Sequence, residues 1–130
     1  APVDVVVERE DGQAETKKLE EVEGGDKIVD MGPDSLALIA PYIEKANFIL
    51  WNGPTGLYED GFTSWTHAIA GLVAKRHADG ASVVIGGGDT IAAIEGSGIK
   101  QENLGFLSTG GGAMLEYLLK GTLPAIEVLA

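Results

Sequence analysis

Two glycine triplets dominate the sequence. Gly86-Gly87-Gly88 runs into Asp89-Thr90, and Gly110-Gly111-Gly112 follows Ser108-Thr109. A third group, Trp51-Asn52-Gly53-Pro54-Thr55-Gly56, leads into Leu57-Tyr58-Glu59. Glycine lets a backbone approach a ligand closely and reach positive φ. Where such a turn passes from a strand into a helix, the helix start adds unpaired N–H groups and the positive end of its dipole. These are the means of holding a phosphate. One surface contact of this kind contributes about 0.3–1 kcal/mol, so several N–H groups must converge. A single triplet is explained equally well by tight packing. Two triplets at two such junctions favour a phosphate site.

Asp89 has two readings. As a helix cap it accepts a backbone N–H and does nothing more. As a functional residue it holds Mg²⁺, which bridges phosphate oxygens. An acid beside a phosphate cradle repels its ligand unless a cation lies between, which tilts the balance to the metal role. Thr90 either bonds a phosphate or starts the helix. Glu59, next to Asp60, reads by itself as a surface acid, and Trp51 reads as core.

Other chemistries find no support. There is no Gly-Lys-Ser/Thr phosphate loop. Gly110 to Leu115 is an incomplete dinucleotide fingerprint, because Leu115 stands where glycine or alanine belongs. His67 and His77 read as isolated helix-surface residues, and Lys75-Arg76 as a solvated helix end. No histidine–carboxylate set has zinc spacing, and no serine sits in a nucleophile elbow.

The elements that must position these turns alternate strand and helix. Val3–Val7 is a short β-branched run. Residues 8–27 are mostly polar and read as a mobile connection or a peripheral hairpin. Ile28-Val29 leads into the turn Asp30-Met31-Gly32-Pro33. Asp34 or Ser35 can cap a helix with Leu36, Ile39, Ala40 and Ile43 as its apolar positions. Phe48–Trp51 reads as a buried strand. Thr63 or Ser64 opens a helix with Ala68, Ile69, Leu72 and Val73 on one face, closed by Asp79-Gly80. Ala81–Ile85 is a strand, Asp89 begins a helix that stops at Gly96, and Phe106-Leu107 is a last strand. A helix with Met114, Leu115, Leu118 and Leu119 follows. The segment from Thr122 to Ala130 is apolar enough to dock. This rhythm predicts an α/β fold, with a parallel sheet covered by helices and right-handed crossovers. The three special turns then share one edge, outside the carboxyl ends of the strands, where open α/β sheets bind ligands.

Composition sets bounds. At 130 residues and 45% hydrophobic, the chain fits one domain with a packed core. Its net charge of −11 argues against nucleic acid or an anionic membrane surface as a partner. With no cysteine, disulfide and thiolate chemistry are excluded, and an intracellular setting is compatible. No apolar run is long enough to span a bilayer. No signal peptide opens the chain, and a start at Ala1-Pro2 reads as processed or truncated.

The ordered motifs resemble one family. Trp51-Asn52-Gly53-Pro54-Thr55-Gly56-Leu57-Tyr58-Glu59, Ile85-Gly86-Gly87-Gly88-Asp89-Thr90 and Ser108-Thr109-Gly110-Gly111-Gly112-Ala113 with Leu115-Glu116 are similar to three segments of phosphoglycerate kinases. Pro2 to Val7, Asp30-Met31-Gly32-Pro33 and Thr122-Leu123-Pro124 match in the same order. The resemblance implies a Rossmann-like three-layer α/β/α fold with a mainly parallel sheet. Residues 1–130 would form part of the C-terminal, nucleotide-binding lobe of a cytoplasmic glycolytic enzyme. That enzyme transfers a phosphoryl group between 1,3-bisphosphoglycerate and ADP, giving 3-phosphoglycerate and ATP. By resemblance, Glu59 holds the ribose hydroxyls, and Asn52 and Pro54 lie beside the adenosine. Gly87 and Gly88 approach the nucleotide, Asp89 engages Mg²⁺, and Thr90 meets a phosphate. Gly110, Gly111 and Gly112 cradle the transferring group.

The family's N-terminal lobe and the opening of its C-terminal lobe, including a nucleotide-binding lysine, have no counterpart here. Ile28 stands where a family glycine faces adenine, and Trp65-Thr66 follows Phe62 where Gly-Thr is frequent. The implied missing strands leave a sheet edge open to self-association. The competing reading is an isolated, non-catalytic nucleotide-binding or interaction module whose glycines only pack the fold.

Overall fold

The computed structural model describes residues 1–121; the expected docking of Thr122–Ala130 and the Thr122-Leu123-Pro124 match lie outside them. The described residues form two three-stranded sheets and four α-helices. In the first sheet, β1 (Asp4–Glu8) lies between β2 (Ala14–Lys18) and β3 (Lys27–Met31), antiparallel to both. Helix α1 (Pro33–Lys45) leads to the second sheet. There β4 (Phe48–Asn52), β5 (Ser82–Gly86) and β6 (Phe106–Ser108) run parallel, with β5 in the centre. Helix α2 (Ser64–Ala78) joins β4 to β5, α3 (Gly88–Glu95) follows β5, and α4 (Gly111–Lys120) follows β6.

The parallel sheet and the α/β class are as the strand–helix rhythm predicts. The separate antiparallel sheet is not part of that prediction. Of the two readings for residues 8–27, the hairpin is the one found. Its strand β2, Ala-Glu-Thr-Lys-Lys, is polar and pairs along its full length with the apolar β1.

Side chains of the parallel strands alternate between two unlike faces. Ile49, Trp51, Val83, Ile85 and Leu107 point to the core, where they meet Ile69, Ala70 and Val73 of α2, Ile94 of α3, and Leu104. On the other face Phe48 is 57% and Phe106 64% exposed, and Leu50 is exposed too. Helix α4 approaches this second face through Met114, which lies against Gly86. Phe48–Trp51 is therefore not a strand buried on both sides.

The first sheet is joined to the helices by a buried carboxylate. Asp4 is 1% exposed. It accepts the N–H of Asp34 at 2.9 Å and of Ser35 at 2.7 Å, and the Ser35 hydroxyl lies 2.6 Å from the same carboxylate. Asp4 thus caps α1 from 30 residues away. Neither Asp34 nor Ser35 is the N-cap. That position is Gly32, whose missing Cβ makes room for the carboxylate. Lys18 of β2 pairs with Asp34 at the same helix start. Burial opposes ionisation of Asp4, but the Ser35 hydroxyl and the two N–H groups outweigh it and hold the carboxyl below its ordinary value.

Asp4→Ala is expected to lower stability by about 2–3 kcal/mol at neutral pH, read from urea unfolding. Because the folded-state pKa lies below the unfolded value of 3.8, this contribution is complete above 3.8 and is lost as pH falls through the folded value. The gap between wild type and variant should therefore close in strong acid. A gap independent of pH would show that the charge on Asp4 is not its source.

Candidate functional site

The three glycine-rich turns meet at one edge of the parallel sheet. The strand register sets Asn52 beside Gly86, and Gly86 beside Ser108, at the carboxyl ends of β4, β5 and β6. Hydrogen bonds fasten the turns together. The Gly87 N–H donates to the Ser108 carbonyl at 2.9 Å. The Gly53 N–H donates to Thr90 Oγ1 at 2.7 Å, and the Thr90 hydroxyl donates to the Gly86 carbonyl at 2.8 Å. Thr90 is fully buried. Its hydroxyl is committed to the protein, so its first-turn N–H is the group it can offer an anion.

The glycines divide by what surrounds them. A Cβ on Gly111 would collide with Asn52 Oδ1 and lie 2.5 Å from the Gly87 nitrogen. One on Gly86 would strike Met114 and lie 2.8 Å from Asn52 Oδ1. Gly87 sits at φ +94°, a conformation that strains any other residue. These three glycines let the turns converge on the Asn52 side chain. Gly88 and Gly112 differ: a Cβ on either would meet nothing within 4 Å. Gly110 has only ordinary van der Waals neighbours. Gly88, Gly110 and Gly112 are also exposed.

Helices α3 and α4 begin here with N-caps Gly87 and Gly110, and neither receives a side-chain cap from that residue. First-turn N–H groups have no acceptor within their own helix. With the dipole they favour an anion, and the open side of Gly88 and Gly112 leaves room for one to approach.

Asp89 is exposed on the first turn of α3 and accepts a hydrogen bond from the Tyr58 hydroxyl at 3.1 Å. That bond, reinforced by desolvation and by the charges of Asp89 and Glu59, raises the Tyr58 pKa. It ties the turn Tyr58–Asp60, which carries the exposed Glu59, to α3. Lys27 of β3 bridges Glu8 at 3.0 Å and Asp60 at 3.1 Å, holding the turn from its other side. Among the described residues no group of three His, Cys, Asp or Glu side chains could hold a metal ion alone. A cation at Asp89 would need oxygens from its ligand, which is how Mg²⁺ ordinarily binds with phosphates.

Pro54 is half-buried and lines a pocket of about 370 Å³ with Ile28, Val29, Thr55 and Leu57. Ile28 is half exposed there, at 51%. Trp51 packs toward the core and donates its Nε1–H to the Gly53 carbonyl at 2.7 Å. The structure thus brings Asn52, Gly87, Thr90 and Gly111 into one packed junction. Gly88, Asp89, Gly110 and Gly112 face outward from it, and Pro54 and Glu59 belong to the adjoining loop.

Sequence reasoning gave Tyr58 no role, although it lies inside a recognised motif. His67 is half-buried, with Nε2 at 2.8 Å from the Ala93 carbonyl, and it links α2 to α3 rather than facing solvent. His77 likewise places Nδ1 3.0 Å from the Ala81 carbonyl.

The phosphoglycerate kinase family model matches residues 1–121. A phosphoglycerate kinase of Francisella tularensis subsp. tularensis (strain WY96-3418) is 48% identical over 98% of this chain and 33% of its own length. One of Vibrio campbellii (strain ATCC BAA-1116) is 46% identical over 92% of this chain and 30% of its own. Among solved structures, the phosphoglycerate kinase of Coxiella burnetii superposes with a TM-score of 0.82 at 40% identity, covering 99% of this chain and 33% of that one. That of Pyrococcus horikoshii OT3 gives 0.74 at 33% identity, over 99% and 32%. The chain spans about a third of the length of these curated relatives.

The division among the glycines is testable by stability. Gly111→Ala should cost about 1–3 kcal/mol through overpacking. Gly88→Ala and Gly112→Ala, in first turns with open space, should leave stability unchanged or raise it by about 0.4–1 kcal/mol. Chemical denaturation of the three variants would decide. Equal losses at all three would show that the second group is packed as tightly as the first.

Proposed function

This chain belongs to the phosphoglycerate kinase family, and from that premise we propose that it carries the Mg-nucleotide side of the family's phosphoryl transfer. The observation that supports this most is the pair of helix N-termini, α3 and α4, brought together with glycine N-caps and an open approach at Gly88 and Gly112.

In this reading the backbone N–H groups of Gly88, Asp89 and Thr90 take up phosphate oxygens from α3. Those following Gly110 in α4 face the transferring group, with Gly111 acting through the packing that sets their position. Asp89 would hold Mg²⁺, which would supply charge neutralisation across the phosphates. Glu59, on the turn that Tyr58 and Lys27 hold, accepts hydrogen bonds from ribose hydroxyls. Asn52 fixes the strand ends under the nucleotide. Pro54 and the adjoining apolar pocket take the base, with Ile28 narrowing it.

Such a site catalyses by positioning and charge stabilisation rather than by covalent chemistry. The second substrate, 3-phosphoglycerate or 1,3-bisphosphoglycerate, is acidic, and a chain of net charge −11 is poorly suited to bind it alone. The residues here therefore serve the nucleotide half of a reaction completed by further chain. The open edge of its parallel sheet would favour self-association of this chain.

Titration with ADP and Mg²⁺, followed by backbone amide NMR, tests the proposal. Saturable shifts are expected at residues 86–90 and 110–112, weakened by removal of Mg²⁺. Asp89→Ala and Glu59→Ala should each weaken binding about tenfold, the equivalent of ~1.4 kcal/mol. Unchanged affinity in both variants would sink the assignment.

A further inference from the structure

The proposed mechanism makes no use of Asp30, yet it is the most deeply buried carboxyl near the Trp51–Glu59 segment, at 4% exposure. It lies in β3, paired with Val6 of β1. Donor groups from three parts of the fold lie around it. The Met31 N–H donates at 2.8 Å. The Thr55 hydroxyl and the Trp65 N–H lie near enough to favour its charged form. Trp65 is the second residue of α2, whose N-cap, Thr63, provides no side-chain cap. Asp30 therefore lies beside the start of α2 and, through Gly56, against the preceding loop at the same time.

Three further contacts bind that loop to the same place. The Leu57 N–H donates to the Val29 carbonyl at 2.8 Å, next to Asp30 in β3. The Thr55 N–H donates to Thr66 Oγ1 at 3.1 Å, and the two threonine hydroxyls lie 3.0 Å apart. Gly56 touches Asp30 directly: a Cβ there would lie 2.7 Å from the Asp30 carboxylate and would collide with the Phe62 carbonyl. The second glycine of the Trp-Asn-Gly-Pro-Thr-Gly motif is thus explained by Asp30, without any ligand. Asn52 and Pro54 precede this anchored point, and Glu59 follows it by three residues.

We infer that Asp30 is a positioning residue, which fixes Thr55 and Gly56 and thereby sets where Pro54 and Glu59 stand for the nucleoside. The inference rests on the nucleotide reading above. Burial raises the Asp30 pKa despite the donor groups around it, so its ionised form costs stability as pH rises through the folded value. A carboxylate kept at such a place acts through geometry, because an uncharged side chain would be cheaper to bury.

The test compares wild type, Asp30→Asn and Thr55→Val. Asp30→Asn preserves volume but removes the charge and one acceptor oxygen. Thr55→Val removes the loop's donor and leaves Asp30 and its α2 contact in place. Each variant is melted, its ligand-free amide spectrum is recorded, and it is titrated with Mg-ADP. Displaced amide signals at Gly56, Leu57 and Glu59 are expected in both variants before any ligand is added. Affinity should fall about tenfold in Asp30→Asn and less in Thr55→Val, out of proportion to any change in melting temperature.

Wild-type affinity in a folded Thr55→Val with unmoved loop signals would overturn the role of Asp30 while leaving the nucleotide site intact. Affinity that merely tracks melting temperature in both variants would also overturn it, reducing Asp30 to a structural residue. A wild-type chain that binds no Mg-ADP would remove the nucleotide reading itself, and this inference with it.

Discussion

Every α-helix begins with N–H groups that its own turns cannot satisfy, and the described part of this chain has four such beginnings. Two are answered from inside. Asp4 on β1 reaches across to cap α1, and Asp30 on β3 lies beside the second residue of α2. Both acids belong to the small antiparallel sheet, and both are buried. Through them a peripheral sheet governs the direction of the helices that cover the parallel one. The starts of α3 and α4 follow the opposite plan. Their N-caps are glycines, and no such cap comes from those residues. Two helix starts thus face the fold's own carboxylates, and two are left beside the open space at Gly88 and Gly112.

The glycine triplets serve both purposes at once. Gly86, Gly87 and Gly111 carry no side chain because Asn52, Met114 and one another's backbones occupy that space. Gly88 and Gly112 have no such neighbours. Packing and ligand approach are alternatives for a single glycine, but a triplet can hold one residue of each kind. The inner ones draw three strand ends together, and the outer ones are left where the gathered helix starts point. The packed residues thus determine how far apart the two helix starts stand.

Much of this was legible in the sequence, because it rests on local rules. Strand–glycine–helix punctuation located β4, β5, β6, α2, α3 and α4, and the parallel register then placed all three motifs at one edge. What escaped were contacts between residues far apart in the chain. The cap of α1 was read as Asp34 or Ser35, since a sequence offers only the nearest polar residue, whereas the carboxylate comes from Asp4. Asp30 was visible only as a letter in Asp-Met-Gly-Pro; nothing local announces that Thr55 and Trp65 will meet it. His67 looked like a surface residue because its carbonyl partner, Ala93, lies on another helix. Phe48, Leu50 and Phe106 made their strands look buried on both sides, and the described helices cover chiefly one.

That uncovered face and the charge of −11 bear on the same point. Apolar residues on alternate strand positions are a specification for cover, and a nucleotide site in an acidic chain is a specification for positive charge. The described residues meet neither in full. Lys17, Lys18 and Lys27 are engaged with Asp26, Asp34, and the pair Glu8 and Asp60, on the antiparallel sheet and the turn beside it. In the proposed site the positive potential at the strand ends would come from peptide dipoles, which act over a single turn of helix. Dipoles of that reach can orient a polyphosphate but cannot gather one from solution against a net negative field. In the proposed site, then, the cation carried by the nucleotide is a condition of encounter as well as of chemistry. On that proposal Asp89, the acid that would repel a bare phosphate, would be the residue that distinguishes a metal-loaded nucleotide from a free one.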